Sequence, residues 1–454
     1  MHAPKHGVKE NNPRRRLLRP LVRSYLILAA GVFLTSALAA ELPESATLDE
    51  VLALATRPEQ PSKAGGADVE RLNALQRLQH WPKSSAEDEA RIAAAFNLSL
   101  DTTNANIRNA GAAGLGSRAH REAIPKILAL GEKDPALIDC FFMPYAESYR
   151  LGRKVDPPIE LLRAGLRSRN PEARRAILHA IASCRAVALR ADLEAVLESD
   201  ASDRVRDAAA SALCQLRLSE SAPALRRAFA AGLQREGVVY ALTQLGNDAD
   251  IAAVLPLLKS KQESLRRTVA AGLSTAKLVN SRPACDSLLE ALRDPSKDVR
   301  LAAIRALGHF REPRAIPPIR ETLTDPQRPI SADDRRTYVD AVSAIGGPEA
   351  IRLLEDMVQM GFRTHFGLER ALAQFASESS GRAVWDAYLQ DPIRTNRGSD
   401  IRSVGYRAAL EVLAACADAE LLQQIREHLS ATQDRYERKA LEELIGRIQA
   451  RLNQ

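Results

Sequence analysis

The chain has 454 residues, more than one compact core of ordinary size holds, so it is either several domains or an extended stack. Hydrophobic residues make up 45% and aromatics only 4%, which suits closely packed helices and argues against a β-sandwich. The formal charge of +7 does not mark a nucleic-acid binder: seven of the 64 basic residues and one of the 57 acids lie in the first 39, and the remainder carries a net +1, too little for a bulk phosphate-seeking field.

Residues 1–39 read as a targeting leader. A basic stretch ends at Arg23, an apolar run covers Tyr25 to Leu34, and Ala37-Leu38-Ala39 offers an Ala-x-Ala cleavage site before Ala40. The uncharged run from Ser24 to Ala40 is 17 residues, marginal against the roughly 20 a spanning helix needs. Two readings stand: a cleaved signal peptide with export to the periplasm, or a retained segment holding the protein on the inner membrane. No Cys adjoins the cleavage site, which argues against a lipid anchor, and Pro13-Arg14-Arg15-Arg16-Leu17-Leu18-Arg19 resembles a twin-arginine export signal. In an oxidising compartment Cys140, Cys184, Cys214, Cys285 and Cys416 need a reading, and none sits at CxxC spacing. They fit buried apolar fillers of helices, with a Cys184–Cys214 disulfide as the alternative.

Residues 40–67 predict a short helix over 47–54, capped by Thr47 with acids in its first turn, and then a Pro, Gly and polar linker. Residues 68–101 predict two helices, the first with Val69, Leu72, Leu75 and Leu78 at helical spacing, the second over 86–98. Together they form a cap over the first repeat. From 102 to 430 a nine-residue phrase returns: apolar, Arg, any, small, apolar, apolar, any, small, apolar. Copies begin at Ile107, Ala173, Val205, Gln234, Leu265, Val299, Asp334, Thr364 and Ile401, spaced 29 to 37 residues apart except for one double gap. That gap hides a degenerate copy at Asp139–Asp156. A period of this length is the mark of a helical solenoid. Each copy is followed by a polar turn, often with Gly (Gly116, Gly246, Gly346-Gly347), and a second amphipathic helix. Asp134-Pro135, Asn170-Pro171, Asp294-Pro295, Asp325-Pro326 and Asp391-Pro392 punctuate the joins as helix-start signals. Residues 431–454 read as a C-terminal capping helix.

Helix, turn and helix headed by Asp-x-x-x-x-Val-Arg, best seen in Asp294–Asp325 and Asp200–Phe229, resembles HEAT repeats, in particular the bacterial HEAT-like repeat first named for phycobilin lyases. The resemblance implies an all-α, right-handed α-solenoid of nine to ten helix pairs. It also implies that the recurring arginines (Arg108, Arg174, Arg206, Arg235, Arg266, Arg300 and Arg335) form an internal ladder with acids near the next helix start. Deoxyhypusine hydroxylase, a relative of this repeat family, holds iron through His-Glu dipeptides, and this chain contains none. No zinc spacing, nucleophile elbow or phosphate loop is present.

No catalytic, cofactor or metal residue is therefore expected. Adjacent second-helix positions (Leu128/Ala129, Glu194/Ala195, Arg226/Arg227, Leu255/Pro256, Leu289/Glu290, Arg320/Glu321, Glu355/Asp356) mix apolar, basic and acidic residues, which suits a protein partner better than a polyanion. Two aromatic clusters, Phe141, Phe142, Tyr145 and Tyr149, then Trp385 and Tyr388 with Phe362, Phe366 and Phe375, are the candidate partner-binding residues. The expected function is an exported, non-catalytic protein-interaction scaffold or adaptor of the bacterial cell envelope. The alternative is an enzyme or enzyme-accessory module of the HEAT-like lyase type.

Overall fold

The computed structural model describes residues 45–58, 69–82, 85–150, 156–277, 281–325, 327, 329–360, 362, 368, 371–372, 378–390, 404–433 and 435–453. The leader, most of the predicted linker, the phrase copy at Thr364 and Asp391-Pro392 lie outside them. Among the described residues every regular element is a helix. The chain divides into two compact units, residues 1–193 and 194–454.

The first unit opens with α1 (Leu48–Ala55), α2 (Val69–Gln79) and α3 (Ala86–Ser99). Thr47 and Glu50 close a reciprocal capping box at the head of α1. The two helices of the predicted cap carry a third beside them: α1 packs on α2 and α3, and the buried Arg71 donates to the Ala55 carbonyl at 3.0 Å. Three repeat pairs begin after it: α4 (Ala105–Ser117) with α5 (Ile124–Gly131), α6 (Ala136–Arg150) with α7 (Ile159–Gly165), and α8 (Pro171–Ser183) with α9 (Arg190–Ser199), in which the unit boundary falls. The double gap is thus a genuine repeat whose first helix, α6, carries Pro144 in its interior.

The second unit continues with α10 (Asp203–Gln215) and α11 (Ala222–Ala230), α12 (Glu236–Leu245) and α13 (Asp248–Val254), α14 (Glu263–Leu273) and α15 (Arg282–Ala291). It goes on with α16 (Lys297–Phe310) and α17 (Ile316–Thr324), then α18 (Ala332–Ile345) and α19 (Pro348–Gln359). Helices α20 (Glu378–Gln390), α21 (Val404–Cys416), α22 (Ala419–Ala431) and α23 (Arg435–Leu452) complete it.

Within each unit the tightest packing joins successive first helices, and small residues permit it. A Cβ built on Gly116 would stand 2.0 Å from the Phe141 carbonyl oxygen of α6, and one on Gly114 would stand 2.2 Å from the Phe96 ring. Gly272 meets Thr243 in the same way, and Gly308 meets the Cα of Ala341. Gly116 therefore belongs to this helix contact and not to the turn in which the sequence pattern placed it. The turns use another device: Ala119, Arg185, Arg217 and Arg311 take left-handed φ after their helices. There the following N–H reaches back to the carbonyl five residues earlier, as from Leu218 to Leu213 at 3.1 Å. Left-handed backbone costs a non-glycine residue about 1–2 kcal/mol, so closing the turn outweighs that cost four times over.

The Asp/Asn-Pro signals divide. Asn170 caps α8 as predicted, accepting from the Glu172 N–H at 2.9 Å with Pro171 at the first helical position. Asp294 does not cap α16; Ser296 holds that place, and Asp294 instead accepts the Ser296 N–H at 2.8 Å, one turn ahead of the helix.

Two glycine replacements separate packing from propensity. Gly116→Ala should destabilise by about 1–3 kcal/mol because its methyl meets backbone. Gly446→Ala, in α23 with nothing within 4 Å, should stabilise by roughly 0.5–1 kcal/mol. Urea unfolding of the two variants checks both signs.

Candidate interaction surface

The recurring arginine occupies the fourth position of its helix in α4, α8, α10, α14, α16 and α18. From there a guanidinium can reach back over the helix start to carbonyls that the turn leaves open. Nη1 of Arg108 donates to Thr102 O and Thr103 O, of Arg174 to Ser168 O and Arg169 O, of Arg266 to Ser260 O and Lys261 O, and of Arg300 to Asp294 O and Pro295 O. The acceptors lie six and five residues earlier each time. Arg206 takes the Leu197 carbonyl at 2.8 Å, and Arg335 stacks over the Phe362 ring at 4.8 Å. Arg235 breaks the rule: α12 begins one turn late, leaving Arg235 exposed at its N-cap, and the Asp207 carboxylate accepts the Val238 N–H at 3.1 Å.

The acid side of the ladder is seen at Arg108 and at Arg266. Arg108 reaches Asp134 at 3.0 Å, and Arg266 grips both oxygens of Asp294 at 2.7 and 3.0 Å in a largely buried pair. Burial pushes the Asp294 carboxyl up, but Arg266, the Ser296 N–H and Arg300 outweigh it and hold it below the usual carboxylate range. Apart from Arg235, these arginines are engaged with turn carbonyls, neighbouring acids or a ring, and Arg300 with carbonyls alone among the described residues.

The second-helix face is similarly self-satisfied. Arg226 is bidentate on Asp250 (2.6 and 2.8 Å), Arg227 meets Glu198 (2.5 Å), Lys259 meets Glu290 (2.8 Å), and Arg320 meets Asp356. Ser221 donates to Glu194 at 2.6 Å and Ser380 to Glu355 at 2.7 Å. Of the charged groove positions only Glu321 lacks such a partner among the described residues. The mixed charge series is therefore complementarity between neighbouring repeats. Opposite charges one period apart, such as Glu198/Arg227 at 29 residues and Asp286/Arg314 at 28, were the sequence signal that reveals it.

The described rings of both aromatic clusters lie inside the units, so among them none is an exposed anchor. Phe141, Phe142 and Tyr145 are at most 1% exposed and pack on one another with centroids 5.0 to 6.1 Å apart. The Tyr145 hydroxyl donates to Asp156 O at 3.2 Å. The side chain of Tyr149 lies outside the described set. Trp385, 1% exposed, stacks on Tyr388, and both rings meet His428 edge to face. Glu437 of α23 accepts from Tyr388, His428 and Thr432, so this cluster fastens α23 to α20 and α22. A sequence shows where aromatics gather, not which way an irregular helix turns them.

Large apolar side chains that are exposed, among them Leu98, Met143, Tyr240 and Leu389, each stand on a different element. Cys140, Cys184, Cys214 and Cys285 are thiols, so the Cys184–Cys214 disulfide is not formed. Burial pushes the first three up to about 12 and Cys285 to about 11, which keeps them protonated and poorly nucleophilic. Among the described residues no His, Cys, Asp and Glu cluster of metal-holding size occurs, and no helix is long and apolar enough to cross a membrane.

These features define an all-α protein of stacked helix pairs. Residues 285–363 match the family of HEAT repeats, and residues 205–231 match the PBS lyase HEAT-like repeat. Over these stretches the chain is built of HEAT repeats, those at 205–231 of the HEAT-like lyase kind. No curated protein matches it. Among solved structures it is similar to the Kap95p–RanGDP structure at 15% identity, covering 97% of this chain and 65% of that one, with a TM-score of 0.48. It is similar to importin beta at 14%, covering 88% and 62%, with a TM-score of 0.47. Human deoxyhypusine hydroxylase in complex with glycerol follows at 17%, covering 76% and 96%, with a TM-score of 0.24. The chain thus spans less than two thirds of the first two, and what those proteins bind stays theirs.

Asp294→Asn tests the ladder. A carboxyl held low contributes stability that is full above its unfolded pKa, near 4, and disappears as pH falls through the folded value. The wild type should therefore lose stability on acidification below about pH 4. The variant should be weaker at pH 7 by about 1.5–3 kcal/mol and lose less over the same window, as read by denaturant unfolding at pH 7 and pH 3.

Proposed function

We propose that the protein is an exported, non-catalytic scaffold or adaptor of the bacterial cell envelope that holds a protein partner along its repeat faces. The observation that carries this reading is that the helix pairs spend their charged side chains on one another. Broad faces that are internally locked and close to neutral suit a protein surface, which is itself mixed in character, better than a polyanion. The leader supports export, because its basic, apolar and Ala-x-Ala parts stand in the order a signal peptide requires. Attachment to the inner membrane by an uncleaved leader is the variant of this reading.

Cell fractionation with mass spectrometry tests the location. The periplasmic or inner-membrane fraction should contain the protein, beginning at Ala40 if the leader is removed. Recovery solely from the cytoplasm with Met1 intact would overturn export. Crosslinking in intact cells should join the repeats to a specific envelope protein, and its absence would sink the scaffold reading.

A further inference from the structure

The arginine clasp is complete at Arg266 and incomplete at Arg300. Both give Nη1 to carbonyls six and five residues back. Arg266 then closes Nε and Nη2 on both oxygens of Asp294. Among the described residues no carboxylate takes those two donors of Arg300. Asp325 follows α17 much as Asp294 follows α15, but its carboxylate turns to the Gln327 N–H at 2.9 Å. Asp334, the other nearby acid, is held by Lys297 at 2.5 Å and by Ser331 at 2.5 Å.

A cleft of about 160 Å³ opens at this place, between the start of α16, the end of α17 and the start of α18. Arg300, Tyr338, Leu301 and Ile330 line it, with the Lys297–Asp334 pair at its side. Tyr338 is only 4% exposed and makes no hydrogen bond among the described residues. Burial raises its phenol to about 12, so the hydroxyl remains a donor at any working pH. A drug-sized ligand occupies about 300–1,000 Å³, so this space suits a single side chain or chain end. Lys297 and Asp334 cancel, which leaves the one positive charge of Arg300 beside a hydroxyl donor and an apolar wall. One negative charge balances that set, whereas a phosphate dianion would be left facing Asp334 uncompensated.

We propose that the cleft takes a carboxylate-bearing residue of the protein partner, bidentate on Nε and Nη2 of Arg300 and hydrogen-bonded by Tyr338. The partner thereby supplies to this repeat what Asp294 supplies to the one before it. The proposal rests on the scaffold reading and names the chemistry that reading leaves open.

The probes are BODIPY-labelled octapeptides with randomised neutral flanks, titrated by anisotropy against the full chain. One set carries a central Glu and an amidated end, a second carries a free C-terminal carboxylate and no acidic side chain, and a third carries a central Gln and an amidated end. One of the two acidic sets should bind roughly tenfold tighter than the Gln set, and which one it is tells a side chain from a chain terminus. Tyr338→Phe, which removes only the hydroxyl, should weaken that set by about three- to tenfold without changing the melting temperature. Arg300→Lys should abolish the preference; because Arg300 also holds two carbonyls, Tyr338→Phe serves as the variant whose folding is not in question. Equal binding of all three sets, or an undiminished preference in Tyr338→Phe, overturns the proposal. If the peptide preference stands while no envelope protein is captured, the scaffold reading fails by itself. Capture that is unchanged in Tyr338→Phe, with no peptide preference, fails the cleft alone.

Discussion

Successive first helices approach until backbone nearly touches backbone, and the rest of the architecture follows from that distance. At Gly116 and Phe141 backbone faces glycine directly, and at Gly308 and Ala341 nothing larger than a methyl stands between the helices, so any larger residue forces them apart. Close approach buries the aliphatic stripe of each helix almost completely: Val299, Ala303, Ile304, Ala306 and Leu307 of α16 all have no measurable exposure. It also fixes register, because helices in contact this near cannot slide without a clash. With register fixed, a side chain near one helix start always faces the same carbonyls and the same acid of its neighbour. The arginine clasp and the second-helix ion pairs can then recur from repeat to repeat.

The ion pairs are weak individually, since exposed pairs contribute about 0–1 kcal/mol each. Their effect is better described as removal of alternatives. A free Arg226 or Arg227 would attract any acidic surface, whereas paired with Asp250 and Glu198 they define where the next repeat sits. The buried Arg266–Asp294 pair is of a different kind, because breaking it leaves a charge uncompensated in a desolvated site.

The sequence made the repeat length, the helix pairs and the small contact residues legible because each is written locally, in periodicity and in cap chemistry. The arginine position was visible too, but its chief acceptors were not. They are turn carbonyls, which carry no residue identity, so a pattern of side chains cannot name them. Asn170 and Asp294 share a following proline and still differ: Arg266 claims the Asp294 carboxylate, whereas Asn170 is free to cap its own helix. The aromatic residues failed for a related reason. Phe141, Phe142 and Tyr145 span one helical turn of α6, and exposure there depends on which side α4 packs, a fact set by the glycines 25 or more residues earlier.

Irregularity in such a stack has two outcomes, and this chain has both. Around Pro144 the helix cannot complete its hydrogen bonding, and the three rings fill the space beside it, so the departure is absorbed into the core. Between α17 and α18 the join runs from Asp325 to Ser331, longer than the five residues between α15 and α16, and among the described residues nothing large fills the cleft beside it. There the lengthened join carries the ladder acid away from Arg300 and leaves Tyr338 facing a cleft. A regular repeat is fully occupied by its neighbours, so the polar groups of such a stack stay unspent where its own pattern is interrupted and left open.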